Sequence, residues 1–148
     1  MIAAASRSNR PHGTNPRLQC RDCRGTEFGN CRKLLERIVI LTGDQEAALS
    51  AVGLTELVHG LYRAVTPEQR SRRQAFINEF LADVPVHPYT KEMALLAGEI
   101  DAGLRGRGLV IPFADLLIGV TALWFNFSVL TINIRDFERI PGLKVVKF

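Results

Sequence analysis

Long apolar runs are missing from this chain. None approaches the ~18 residues that crossing a bilayer requires, and the best, Leu116 to Trp124, is short and follows an acid, Asp115. The start, Met1 to Gly13, carries Arg7 and Arg10 but lacks the apolar centre of a signal peptide. These absences lead to the expectation of a soluble, cytoplasmic protein with no membrane partner. Histidine is scarce, and neither His59 nor His87 has a partnered Ser or Cys at a credible position, which speaks against nucleophilic chemistry and leaves them as helix-face and loop residues. Cysteine is scarce as well. Cys20-x-x-Cys23 with Cys31 and the upstream His12 would make four zinc ligands, but the fourth has to be borrowed from a Pro/Gly-rich tail. Reduced thiols are the plainer reading for a cytosolic chain.

What the chain does have is enough apolar material for one domain. At 148 residues and 47% hydrophobic it can bury a real core, and no second domain is needed. The formal charge of +4 allows a polyanionic partner. That charge is uneven: residues 1 to 37 hold Arg7, Arg10, Arg17, Arg21, Arg24, Arg32, Lys33 and Arg37 against Asp22, Glu27 and Glu36. The same segment has Pro11, Pro16, Gly13, Gly25 and Gly29 and little aliphatic periodicity before Leu34, so residues 1–31 read as an aberrant, basic, disordered segment and 32–148 as the domain.

From Arg32 onward the pattern becomes orderly. Leu34, Leu35, Ile38 and Leu41 recur at helical spacing up to Gly43 and Asp44, and Ala47 to Ala51 reads as a short buried strand. Thr55 to Ala64 reads as a helix with Glu56 near its beginning. Pro67 opens the next helix, with Arg70, Arg72 and Arg73 outward and Phe76, Ile77, Phe80 and Leu81 inward. Val84 to Val86 is a strand weakened by Pro85, and Thr90 caps a helix that runs to about Arg105 with Met93, Leu96, Ala97, Ile100 and Leu104 on its core side. Ile111 to Leu123 is an apolar helix with one carboxylate near its start, Ser128 onward a buried strand ending near a second carboxylate, and Lys144 to Lys147 a final strand. Strands separated by helices imply an α/β fold with a parallel sheet covered on both faces.

Three acids then fall at comparable places. Glu56 follows the Ala47 strand, Asp115 opens a helix among Phe113, Leu116, Leu117 and Ile118, and Asp136 follows the strand at Val129. Convergence at the carboxyl edge of the sheet would create mutual repulsion, which a Mg²⁺ or Mn²⁺ ion relieves by taking oxygen ligands. Such a site activates water and stabilises charge on a phosphodiester. Each acid has an ordinary alternative: Glu56 a solvated helix residue, Asp115 a cap or turn acid, Asp136 an ion-pair partner of Arg135 or Arg139.

Three stretches carry a family resemblance. Leu54-Thr-Glu-Leu-Val-His-Gly60, Leu104-Arg-x-Arg-Gly108 through Ile111-Pro-x-Ala-Asp-Leu-Leu-Ile-Gly119, and Thr131-x-Asn-x-Arg-Asp-Phe-x-Arg-Ile-Pro-Gly-Leu143 resemble, in that order, the PIN-domain ribonuclease toxins of the VapC type. The resemblance covers roughly residues 32 to 148. It implies a PIN-like three-layer α/β/α fold and a Mg²⁺-dependent endoribonuclease, the toxin of a type II toxin–antitoxin module, that cleaves RNA, dimerises and is held inactive by a cognate antitoxin. By motif it assigns Glu56, Asp115 and Asp136 as catalytic and metal-binding acids and Thr131 and Asn133 as residues shaping the site beside them.

The chain departs from the family at its beginning. Members open with a buried central strand ending in an Asp-Thr/Ser-Ser/Asn motif, which supplies a fourth acid, and nothing in residues 1 to 31 has that form. Asp22 is the one aspartate there, flanked by Arg21, Cys23 and Arg24. The central strand is therefore expected to be missing or replaced. Codons compatible with Asn15 to Asn30, read one base out of frame, permit the string ILDSSVVIAAERNLA, so a frameshift that rejoins the family frame near Cys31 is one hypothesis for the segment. Loss of the fourth acid would impair catalysis. Two non-enzymatic readings stay open: a PIN-like protein that binds an antitoxin or partner toxin without cleaving RNA, and a nucleic-acid binder that uses the basic, Cys-containing tail.

Overall fold

The computed structural model describes residues 2–4, 18–20, 31–42 and 46–148. After two short strands, β1 (Ile2–Ala4) and β2 (Leu18–Cys20), the chain forms α1 (Cys31–Thr42) and β3 (Ala47–Ser50). The helix expected from Thr55 starts earlier, as α2 (Ala51–Tyr62), because Ser50 caps it: the Ser50 Oγ accepts the Gly53 N–H at 2.9 Å. That bond satisfies one of the donors a helix start leaves open. Next comes α3 (Pro67–Asp83), capped by Thr66 with Pro67 in the first turn. Phe76, Ile77 and Phe80 are buried as the periodicity requires, and Arg70 and Arg72 are exposed. Arg73 is not outward. It is half-buried and donates to the Gly60 carbonyl, tying α3 back to α2.

Pro85 leaves the following strand only two residues, β4 (Val86–His87), and Val84 is instead the buried cap of α3. His87 lies in this strand rather than in a loop, its ring stacked on Phe125 at 4.2 Å between centroids. Thr90 caps α4 (Lys91–Arg105), which buries Met93, Ala97 and Leu104. The remaining elements are α5 (Phe113–Trp124), β5 (Ser128–Thr131), the one-turn α6 (Ile134–Phe137) and β6 (Lys144–Lys147). Among the described residues no helix is long and apolar enough to cross a membrane.

The strands form one sheet in the order β4-β3-β1-β2-β5-β6. Parallel pairs join β3 to β4, β2 to β5 and β5 to β6, while β1 pairs irregularly: antiparallel to β3, parallel to β2, and antiparallel to β5 through Ile2 and Leu130 alone. The middle of the sheet, expected to lack its strand, is held by β1 and β2, each of three residues. The central strand is thus replaced rather than absent, and one of its replacements introduces an antiparallel pairing that helix-separated strands did not predict. Asp22, and the order or disorder of most of residues 1–31, lie outside the described residues.

Neighbouring strand residues divide between two cores. Ala48 and Val129 belong to a cluster with Met93, Leu104, Leu116 and Phe137, whereas Leu49 and Leu130 join Ile38, Leu57, Phe76 and Phe80. Successive side chains of a strand point to opposite faces, so these are the two sides of the sheet. The result is three layers: α4 and α5 cover one side, and α1, α2 and α3 the other. Gly119 sets how closely α5 packs, because a Cβ there would collide with Ile140 Cδ1. Forcing extra carbon into such a contact costs about 1–3 kcal/mol.

Candidate active site

Asp115 lies in the first turn of α5 and is fully buried, flanked in sequence by the fully buried Leu116 and Ile118. A carboxylate in that setting is costly unless charge or donors answer it. The start of a helix helps, since its open N–H groups favour a negative group in the first turn. The specific answer comes from Asn133, whose Nδ2 donates to Asp115 Oδ2 at 3.2 Å.

The position of Asn133 follows from the end of β5. Thr131, also fully buried, accepts the Asn133 N–H on its Oγ1 at 2.9 Å, which turns the chain out of the strand and into α6. That turn aims the amide between two acids. The same Nδ2 donates to Asp136 Oδ2 at 2.8 Å. An amide nitrogen has two hydrogens, so each carboxylate receives one.

The other oxygen of Asp136 faces a cation. Arg139 Nη1 stands 3.5 Å from Asp136 Oδ1 and donates to the Val110 carbonyl at 2.8 Å. The ion-pair alternative for Asp136 is therefore realised with Arg139, and it coexists with the Asn133 bond. Glu56 comes from elsewhere, half-buried on α2 beyond the carboxyl end of β3. Asp115 and Asp136 are brought together, but among the described residues no group of three or more His, Cys, Asp or Glu side chains gathers closely enough to hold a metal ion. Of the zinc ligands considered, Cys31 is buried in the core at the start of α1, and the His12, Cys20 and Cys23 side chains lie outside the described residues.

The donor set is hard oxygen: two carboxylates fixed to one amide. Mg²⁺ is held in many enzymes by one or two carboxylates while keeping several waters, so the residues present fit such an ion in kind. Two contributors went unread in the sequence. Ser50, which launches the helix of Glu56, had the signal of a serine between an apolar strand and a helix. The Val110 carbonyl had none, because a main-chain oxygen leaves no mark in residue identity.

A PIN-domain family model matches residues 25–143. The chain belongs to the PIN-domain family, in its VapC branch. It is 33% identical over 101 residues to Ribonuclease VapC of Rickettsia bellii, a match spanning 68% of this chain and 75% of that protein. It is 32% identical over 97 residues to the tRNA(fMet)-specific endonuclease VapC of Salmonella typhimurium, spanning 66% and 71%. In structure it is similar to VapBC2 from Rickettsia felis bound to a promoter DNA fragment, with a TM-score of 0.69 at 26% identity over 79% of this chain and 86% of that one. DNA-bound VapBC from Salmonella typhimurium gives a TM-score of 0.69 at 26% identity, covering 81% and 88%. The matched region of this VapC-type chain starts somewhat before residue 32 and includes Glu56, Asp115, Thr131, Asn133 and Asp136.

Proposed function

We propose that this VapC-type PIN protein is a Mg²⁺-dependent endoribonuclease, with Mn²⁺ as a substitute ion, acting as the toxin of a type II module. The observation that carries the reading is the single Asn133 amide holding Asp115 and Asp136 together at the carboxyl edge of the sheet. Two carboxylates kept that close repel each other, and a divalent cation is the natural relief. The relatives named as ribonucleases and the solved VapBC complexes support the activity and an antitoxin partner. RNA is the substrate in this reading, and a second copy of the chain completes a homodimer.

In this mechanism Asp115 and Asp136 supply the oxygens that would hold the ion, and Glu56, on its separate helix, is the third acid of the site. Asn133 keeps the two aspartates at fixed separation, and Thr131 fixes the turn that aims the amide. When bound, the ion would polarise a phosphodiester oxygen and lower the pKa of a coordinated water. The apolar surroundings of Asp115 strengthen its electrostatic effect by keeping water away.

The test is RNA cleavage by the purified full chain with and without Mg²⁺. Asp115→Ala is expected to lower Mg²⁺-dependent cleavage by more than the ~10–100-fold typical of outer-shell substitutions. Equal cleavage by the variant would end the nuclease reading, and a parent chain that binds antitoxin without cleaving RNA would establish the noncatalytic alternative.

Residues 1–31 belong to the same proposal as a frameshifted segment, which makes the chain as written a weakened enzyme. The gene sequence across codons 10–35 decides this: an open displaced frame encoding an apolar run and an acid is the expected result, and a stop codon or the lack of such an acid refutes it. With the frame restored, Mg²⁺-dependent cleavage should rise.

A further inference from the structure

We propose that Arg139 is a positioning residue for the divalent-ion site, fixing Asp136 against the segment that leads into α5; the inference rests on the metal-dependent reading above. The guanidinium reaches two parts of the chain at once. Its Nη1 donates to the Val110 carbonyl at 2.8 Å and stands 3.5 Å from Asp136 Oδ1. Val110 precedes Asp115 by five residues, and Asp115 is joined through Asn133 to Asp136. The contacts therefore close a ring: Val110, Arg139, Asp136, Asn133, Asp115 and back along the chain to Val110.

A ring of this kind resists changes in the spacing of the two carboxylates. Opening it at Arg139 leaves Asp136, among the described residues, with the Asn133 bond, on a helix of a single turn with no side-chain cap. The shorter contact is to the neutral carbonyl, so the main chain anchors the guanidinium and Asp136 Oδ1 keeps lone-pair capacity for another partner. Repulsion between the arginine and an incoming ion is moderated by solvent, since both side chains are about one-fifth exposed, 22% for Arg139 and 20% for Asp136.

The experiment is Mn²⁺ binding to the full chain, followed by the loss of the free-ion paramagnetic resonance signal, for the parent, Arg139→Ala, Arg139→Lys and Asp115→Asn. Thermal melting in EDTA is recorded beside it. Arg139→Ala is expected to weaken Mn²⁺ binding about tenfold, the low end of what outer-shell partners contribute, while the melting temperature in EDTA stays close to the parent value. Lysine keeps the charge but not the planar fork, so Arg139→Lys should recover part of the affinity. That variant also carries the test if Arg139→Ala fails to fold. An Mn²⁺ affinity within twofold of the parent, or tighter binding, in Arg139→Ala, or in Arg139→Lys where the alanine variant does not fold, overturns the proposal while leaving the nuclease reading intact, provided Asp115→Asn abolishes binding. A parent chain with no Mn²⁺ binding removes both.

Discussion

The region spanning α5, β5 and α6 and the region around α2 place their acids by different means. In the first, Asp115 and Asp136 are linked by an amide from the turn between their elements, and that turn is held by Thr131. All of it comes from one continuous stretch of chain. In the second, Glu56 sits on α2, a helix capped by Ser50 and packed through Leu57 and Leu61 into the opposite core. Hydrogen bonds from the turn after β5 hold the aspartates, whereas the packing of α2 sets where the backbone of Glu56 stands. The aspartate pair should therefore respond to changes in single donors, and Glu56 to changes in how α2 docks.

Removing the shared donor is the most direct way to break this difference. Asn133→Ala takes one hydrogen bond from each aspartate and leaves the buried Asp115 without its Nδ2 donor. Loss of a donor to a buried charged group costs about 1–3 kcal/mol. Mn²⁺ affinity and Mg²⁺-dependent cleavage should each fall about 10–100-fold. Isothermal titration and a cleavage assay check both. Unchanged metal affinity would show that the aspartates hold their spacing without the amide.

The contrast also explains how far the sequence could be read. Periodicity places α3, α4 and β6 well, because their apolar residues recur at the spacing of the element, as Met93, Ala97 and Leu104 do in α4. Asp115 and Asp136 stand out as acids beside apolar runs, and motif order adds Thr131 and Asn133. Arg73 is misread because a cation on a charged helix face looks solvent-facing, while here it finds the Gly60 carbonyl of another helix. The same blindness hides the contact between Arg139 and Val110. Main-chain acceptors are identical at every residue, so only coordinates reveal which of them a side chain meets. The sheet centre is illegible for a different reason: three-residue strands such as Leu18–Cys20 are too short for a period of two to register, and their pairing depends on β5 far along the chain.

The smallest expected effect sharpens the comparison from the α2 side. Ser50 is fully buried at the end of β3, and its Oγ accepts the Gly53 N–H at 2.9 Å. Ser50→Ala removes that cap, which costs about 1 kcal/mol. The loss should appear as a lower denaturation midpoint in urea. Because α2 carries Glu56 and the shared amide donor Asn133 lies on the turn after β5, Mn²⁺ affinity should change less than it does in Asn133→Ala, while cleavage falls modestly through the loosened helix. A drop in Mn²⁺ affinity as large as that of Asn133→Ala would mean that α2 and the aspartate pair move as one unit. In that case the site depends on docking throughout, and the division between locally bonded and remotely packed acids would not hold.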